Sequence, residues 1–407
     1  MVEDGQLSSL KSKIMNKQEL IQYTDQEFEN QFQSKPEVNV LSPGRINIIG
    51  EHVDNYDGYV LPAAIDKYIC FSAKKNDEGK IKVYAADLKE SFEFNLNEKV
   101  YKSDKVWENY FLGVLDRVLA EGKETFGLDI VFSSNLPIGA GLSSSAALTC
   151  GLATLLNKYY NLGWDKKQIA LTGQWTEHNY VGVMCGIMDQ FASVFGQENS
   201  ALLLDCNSME FKLYPTDFQD YTLVLFDTCV KHSLVDSEYN KRRNEVHEGV
   251  EVVKKKYPEF SNFRDLTMEM IDEVKADLTE DQYKRLVHIV GEIARILSAV
   301  QLLEKNDFVE VGALITQTHN SLSKLYEVSC PELDFLVENA LKEEGVLGSR
   351  MMGGGFGGCT ISLVKKDVLP ALIEKIQPLY KAEFGIDLKV YPVNVSQGTQ
   401  ILENAGV

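Results

Sequence analysis

No two cysteines in this chain stand at CxxC spacing; the seven are scattered singly from Cys70 to Cys359. An odd, unclustered set argues against a disulfide framework or a zinc site and fits free thiols in a reducing compartment. Positive charge is in deficit, with 41 Lys plus Arg against 60 Asp plus Glu and a net charge of -19. That balance argues against nucleic acid or an anionic membrane as the main partner, though a pocket can still be locally basic. The stretch Met1 to Leu20 lacks the apolar core of a signal peptide, and no stretch is expected to approach a membrane span. A cytoplasmic protein is therefore expected. GxxxxGK[ST] is absent, as are the HRD and DFG elements of protein kinases, which excludes those two nucleotide-binding classes. There is no low-complexity linker and no repeat, so any domain boundary is tight.

What is present is ordinary in bulk: 407 residues, 44% hydrophobic and 25% charged, enough for two or three domains with a sizeable core. The unusual stretch is Asn135 to Ala147, rich in glycine and serine. Leu128 to Phe132 before it reads as a strand, and Ala146 to Leu156 after it reads as a helix. Glycines let backbone approach a ligand closely, and the first amides of a helix have no internal partner. Such a place suits phosphate. Serine is also a common helix cap, so on its own the loop fits a phosphate cradle and a capped helix about equally. Three consecutive serines, Ser143 to Ser145, exceed what capping needs.

The remaining pattern favours an α+β arrangement over strict βαβ alternation. Strands are expected at Val38 to Leu41, Tyr59 to Pro62, Tyr68 to Ala73, Ile81 to Ala85 and Phe92 to Leu96, before a helix at Trp107 to Ala120. A capping box, Asp165 with Gln168, starts a helix running to about Tyr180. Strands at Ala201 to Asp205 and Tyr221 to Asp227 precede helices at Ser237 to Tyr257 and Glu292 to Leu303. The chain closes with a strand at Thr360 to Val364, a helix through Pro370 to Phe384 and a strand at Ile386 to Val390.

Three polar or glycine-rich groups carry chemistry. Arg45, Glu51, His52 and Asp54 lie within ten residues between two strand-like runs and offer the mixed donors and acceptors that hydroxyl-rich ligands need. Asp189 stands between apolar runs, so it needs a partner to stay ionised, and Arg45 could be that partner. Glu177 precedes it on a helix. Gly353 to Gly358 formally matches GxGxxG, but a strand follows it where a dinucleotide site requires a helix. Close backbone packing against the serine loop or the substrate is the better reading.

Together these residues resemble the superfamily of galacto-, homoserine, mevalonate and phosphomevalonate kinases, and within it the galactokinase family. Ser42 to Arg45, Pro137 to Ala147 and Gly353 to Gly358 match its three motifs in order. Gly44 to Pro62 resembles the galactokinase signature, with Val53 where the family has Thr and Asn55-Tyr56 in reverse of the usual order. Cys185 to Gln190 and Ser237 to Arg243 are also similar.

The resemblance implies an ATP-dependent kinase for the C1 hydroxyl of α-D-galactose, with two α+β lobes and the active site between them. The amino lobe, 1–180, is expected to be like ribosomal protein S5 domain 2, and the carboxy lobe, 181–407, ferredoxin-like. The last strand, about 386–396, is expected to return to the amino lobe. Implied around the sugar are Glu51, His52, Val53, Asp54, Gly186, Asp189 and Tyr239. Around the ATP phosphates it implies Pro137, Gly139, Ala140, Gly141, Leu142, Ser143, Ser144 and Ser145. Ser145 and Glu177 would hold Mg²⁺, Asp189 would act as base and Arg45 would stabilise charge. A monomer acting on galactose and ATP, with no membrane or nucleic-acid partner, is expected. A kinase for N-acetylgalactosamine, arabinose or a uronic acid is the alternative, followed by a non-catalytic sugar sensor on the same fold.

Overall fold

In the computed structural model, residues 15–137, 139–230 and 235–403 are described, and the first fourteen residues lie outside them. The amino-terminal half supplies β1 (Val38–Asn47), β2 (Tyr59–Val60), β3 (Pro62–Asn76), β4 (Lys80–Ala85), β5 (Glu90–Asn95) and β6 (Gly127–Ser134). Then come β7 (Ser200–Asp205), β8 (Phe211–Pro215), β9 (Tyr221–Asp227), β10 (Val346–Met351), β11 (Cys359–Lys365), β12 (Lys389–Pro392) and β13 (Gln400–Glu403). They form a six-stranded sheet in the order β13-β1-β3-β6-β4-β5, a four-stranded sheet β10-β11-β9-β12 and a three-stranded sheet β2-β7-β8.

The helices are α1 (Lys17–Phe32), α2 (Val106–Ala120), α3 (Ser144–Tyr160), α4 (Lys166–Thr176), α5 (Met188–Phe195) and α6 (Val235–Lys256). They continue with α7 (Met268–Glu273), α8 (Glu280–Glu304), α9 (Phe308–Ser321), α10 (Pro331–Ala340) and α11 (Leu369–Phe384). Side chains alternate across a strand, so neighbours on β3 serve opposite faces. Cys70 packs with Leu20 of α1, while Phe71 joins the main core beneath α3. Covered on both sides, β1 is buried along all ten residues. Its register breaks between Pro43 and Arg45. Proline cannot donate to a ladder and is tolerated at such irregularities. There the Arg45 amide turns from β3 to the carbonyl of Leu142, at 3.1 Å, so the serine loop docks on the break.

Three expectations need correction. The body built on the large sheet continues past residue 180, because α5 packs on α3, α4 and β1, and β7 packs on β3. The strand at Lys389–Pro392 pairs with β9 in the four-stranded sheet. The return to the large sheet is made by Gln400–Glu403 on β1, with residues 394–396 touching β3 on the way. Thirdly, α8 is long and apolar enough, by length and composition, to cross a membrane. It reads here as a core helix: Leu286, Ile289 and Ile296 are buried, and its charged Arg285 and Glu292 are paired inside the protein.

Candidate active site

A cleft of 590 Å³ gathers almost every residue singled out in the sequence. Arg45, Glu51, His52, Asp54, Gly186, Asp189 and Tyr239 line it together with Pro137, Gly139, Gly141, Leu142, Ser143, Ser144, Ser145 and Glu177. Val53 and Ala140 do not. Val53 is fully buried in the main core, where its carbonyl accepts the amides of Tyr56 and Gly58 and closes a turn. Ala140 is fully buried against the third glycine motif. Val183, Val230 and Met352 line the cleft without having been singled out. They are apolar, and nothing in their local sequence separates a cleft wall from a core.

The break in β1 aims Arg45 across the cleft. Its Nε donates to Oδ1 of Asp189 at 2.7 Å and its Nη2 to Oδ2 at 2.9 Å, the two-point geometry that suits a guanidinium and a carboxylate. Its Nη1 donates to the Gly141 carbonyl at 2.6 Å. Burial pulls the Arg45 guanidinium down, yet the carboxylates of Asp189, Glu51 and Asp54 leave it above its ordinary value. Asp189 lies in the first turn of α5 and keeps about a quarter of its side chain exposed to the cleft, 26%. The third partner of its carboxylate is the Ser143 hydroxyl, which donates to Oδ2 at 2.5 Å. Ser143 is the N-cap of α3 but makes no side-chain cap. Its backbone is left-handed, φ 59, which frees the hydroxyl for Asp189.

Two further carboxyls sit at the rim of this pair. Burial, then the charges of Asp189 and Glu51, push Asp54 up to about 7. Burial and Asp189 push Glu177 up to about 7 as well, against hydrogen bonds from Ser145, Gln190 and Cys185. Glu177 is thus a buried carboxylate whose described partners are neutral. It begins a π-turn, Glu177–Val181, where the sequence suggested a continuing α-helix. Gly186 is required where it stands, since an added Cβ would overlap the Asp54 carboxylate. The loop between the Glu177 turn and Gly186 is pinned through the Cys185 carbonyl, 2.7 Å from Nε2 of His178.

His52 holds a left-handed backbone, φ 59, and packs against the rings of Tyr239 and Tyr326, at 5.5 and 4.8 Å between centroids. Burial lowers it to about 4, so the ring is neutral, and its buried Nε2 has no partner among the described residues. Asn55 donates to the Tyr239 hydroxyl at 3.0 Å. Opposite, the backbone of Gly353 and Gly358 packs on Ala140 and Gly141, the close approach expected of the third motif. Such a cleft can bind phosphate on amides and hydroxyls, bind a polyol on carboxylates and an imidazole, and hold the arginine-paired side chain of Asp189 between the two.

Three family models match the chain: the galactokinase galactose-binding signature over residues 26–75, the GHMP kinases N terminal domain over 109–197 and the GHMP kinases C terminal over 299–381. The galactokinase of Thermotoga petrophila is 40% identical, over 89% of this chain and 99% of its own. That of Clostridium perfringens is 38% identical, over 91% and 97%. The solved Lactococcus lactis galactokinase complexed with galactose has a TM-score of 0.88 at 34% identity, covering 93% of this chain and 99% of that one. The mevalonate kinase of Methanococcus jannaschii, at 20% identity and a TM-score of 0.56 over 88% and 98% of the chains, shares the fold.

Proposed function

Because this chain belongs to the galactokinase family, we propose that it transfers the γ-phosphoryl group of ATP to the C1 hydroxyl of α-D-galactose, giving galactose 1-phosphate and ADP. The observation that carries this reading is the two-point pair of Arg45 with Asp189, set between the serine loop and the sugar signature.

In this reading the amides and hydroxyls of Gly139 to Ser145 hold the ATP phosphates at the start of α3. Glu51, Asp54, His52 and Tyr239 take the sugar hydroxyls. The Nε2 of neutral His52, which has no partner among the described residues, supports that role, because a buried polar atom needs one. Asp189 accepts the proton of the C1 hydroxyl as the C1 oxygen bonds to the γ-phosphorus and the bond to ADP breaks. Arg45 holds and aims Asp189 through its two-point pair, and balances charge that gathers on the phosphoryl oxygens.

Ser145 and Glu177 fit Mg²⁺: a hydroxyl and a buried carboxylate without a cationic partner among the described residues are hard oxygen donors. Bound there, Mg²⁺ would neutralise charge on the phosphates. Acceptors that use the same chemistry, such as N-acetylgalactosamine, arabinose or a uronic acid, are the competing substrates. The reading includes a monomer working in the cytoplasm, with two lobes that share the cleft. An ADP-release assay over a panel of sugars tests it. Galactose is expected to give the highest kcat/KM, and a higher value for another sugar would replace it as substrate.

A further inference from the structure

Glu51, which the proposed function assigns to the sugar, is held at three points by elements more than two hundred residues away in sequence. Its amide donates to Oε1 of Glu292 at 3.2 Å, beside the Gly50 amide at 2.9 Å on the same oxygen. Its carbonyl oxygen is 3.3 Å from Nε2 of His288. Its carboxylate accepts Nη1 of Arg350 at 2.7 Å. His288 and Glu292 lie one turn apart on α8, and Arg350 lies on β10 just before the third glycine motif. All three are fully buried, and none lines the cleft.

Each holder is itself fixed. His288 Nδ1 pairs with the Ser321 hydroxyl at 2.8 Å, and burial lowers the ring to about 3, so it stays neutral. With Nε2–H donating to Glu51, Nδ1 is left to accept from Ser321. Glu292 takes Arg295 at 2.8 Å and Thr318 at 2.9 Å. Arg350 also donates to the carbonyls of Ile48, Met351 and Asn47. Buried charges cost free energy even when paired, and apolar packing of equal volume is often at least as stable. Stability alone therefore gives no reason for a glutamate, a histidine and an arginine to converge on one residue.

We propose that Glu292, His288 and Arg350 are positioning residues that fix Glu51 for the sugar and so set the affinity for galactose separately from that for ATP. This rests on the proposed function. The geometry explains the separation: the three bonds end on the sugar side of the cleft, while the serine loop is held by Arg45 and the third glycine motif.

The test compares His288→Leu, which removes the donor to the Glu51 carbonyl, with His288→Gln, which keeps an N–H near the same place. The leucine variant is expected to raise the galactose KM about tenfold and leave the ATP KM within about twofold, and the glutamine variant to restore most of that loss. Arg350→Lys keeps the charge but loses the fork, and is expected to move in the same direction. Thermal melts identify folded variants; if Arg350→Lys does not fold, the histidine pair decides. Equal rises in both KM values, or an unchanged galactose KM in the folded variants, would overturn the proposal. If the wild-type protein fails to phosphorylate galactose, the substrate reading falls instead. The same KM comparison is then made with the sugar that the panel shows to be active.

Discussion

Arg45 and Asp189, 144 residues apart in sequence, meet through two hydrogen bonds at 2.7 and 2.9 Å. The pair joins the strand that begins the sugar signature to the helix that follows the glycine-flanked turn. It also ties both to the serine loop, through the Gly141 carbonyl and the Ser143 hydroxyl. Donor and acceptor halves of the cleft are thus mechanically linked at the carboxylate assigned to the proton.

Replacing that carboxylate by an amide of the same shape separates charge from geometry. Asp189→Asn is expected to lower kcat by about 10³-fold or more while ATP binding stays measurable by calorimetry. Arg45→Lys keeps one positive charge but not the fork, and should lower kcat by about 10²-fold. Near-wild-type turnover in Asp189→Asn would remove this residue from proton transfer.

Glu177 gives a pH prediction whose sign can be worked out. Its ordinary value is 4.5 and the fold raises it to about 7, chiefly through burial. Between those values the folded state keeps a proton that the unfolded chain has released, so without metal its contribution to stability falls as pH rises through that window. Glu177→Gln removes this dependence. Its melting temperature should therefore gain on the wild type from about pH 5 to about pH 7.5 in a chelator. Adding Mg²⁺ at the upper pH should stabilise the wild type and not the variant. A gap that does not change with pH would contradict the assignment.

Gly186 faces Asp54 with no space for a side chain. Gly186→Ala is expected to push Asp54 away from the sugar and raise the galactose KM about tenfold or more, with the ATP KM nearly unchanged. Steady-state kinetics with each substrate varied in turn checks it. A variant with wild-type KM for both would show that the Asp54 carboxylate has no part in sugar binding.

Val53 gives the opposite kind of expectation. Its side chain is in the core and not in the cleft, so Val53→Thr should bring a hydroxyl into an apolar site. A loss of about 1–2 kcal/mol in stability is expected, with the ranking of sugars unchanged. Denaturant melts and the sugar panel measure the two effects separately, and a changed ranking would return Val53 to the sugar site.

Much of this cleft is legible along the chain because its residues come in short runs. Arg45, Glu51, His52 and Asp54 fall within ten residues, and Ser143 to Ser145 follow their glycines directly. What the chain hides is set by distant partners. Arg350 stands just before a glycine cluster, and nothing in its local sequence marks a partner, yet it is wholly buried on Glu51. Glu292 and Arg295 fit any amphipathic helix, and only the fold turns Glu292 inward to two amides. The π-turn at Glu177 is hidden for a related reason: one extra residue in a turn leaves no mark on an apolar period. The returning strand is hidden because Lys389–Pro392 and Gln400–Glu403 are both short, and register, not composition, decides which one reaches β1.

The central claim is that this cleft phosphorylates galactose at C1. Incubating the purified protein with ATP, Mg²⁺ and galactose and reading the product by phosphorus and proton NMR tests it most directly. Coupling of the phosphorus to the anomeric proton, with ADP formed in equal amount, is the result expected. A phosphate on another carbon, or ADP released without a sugar phosphate, would contradict it.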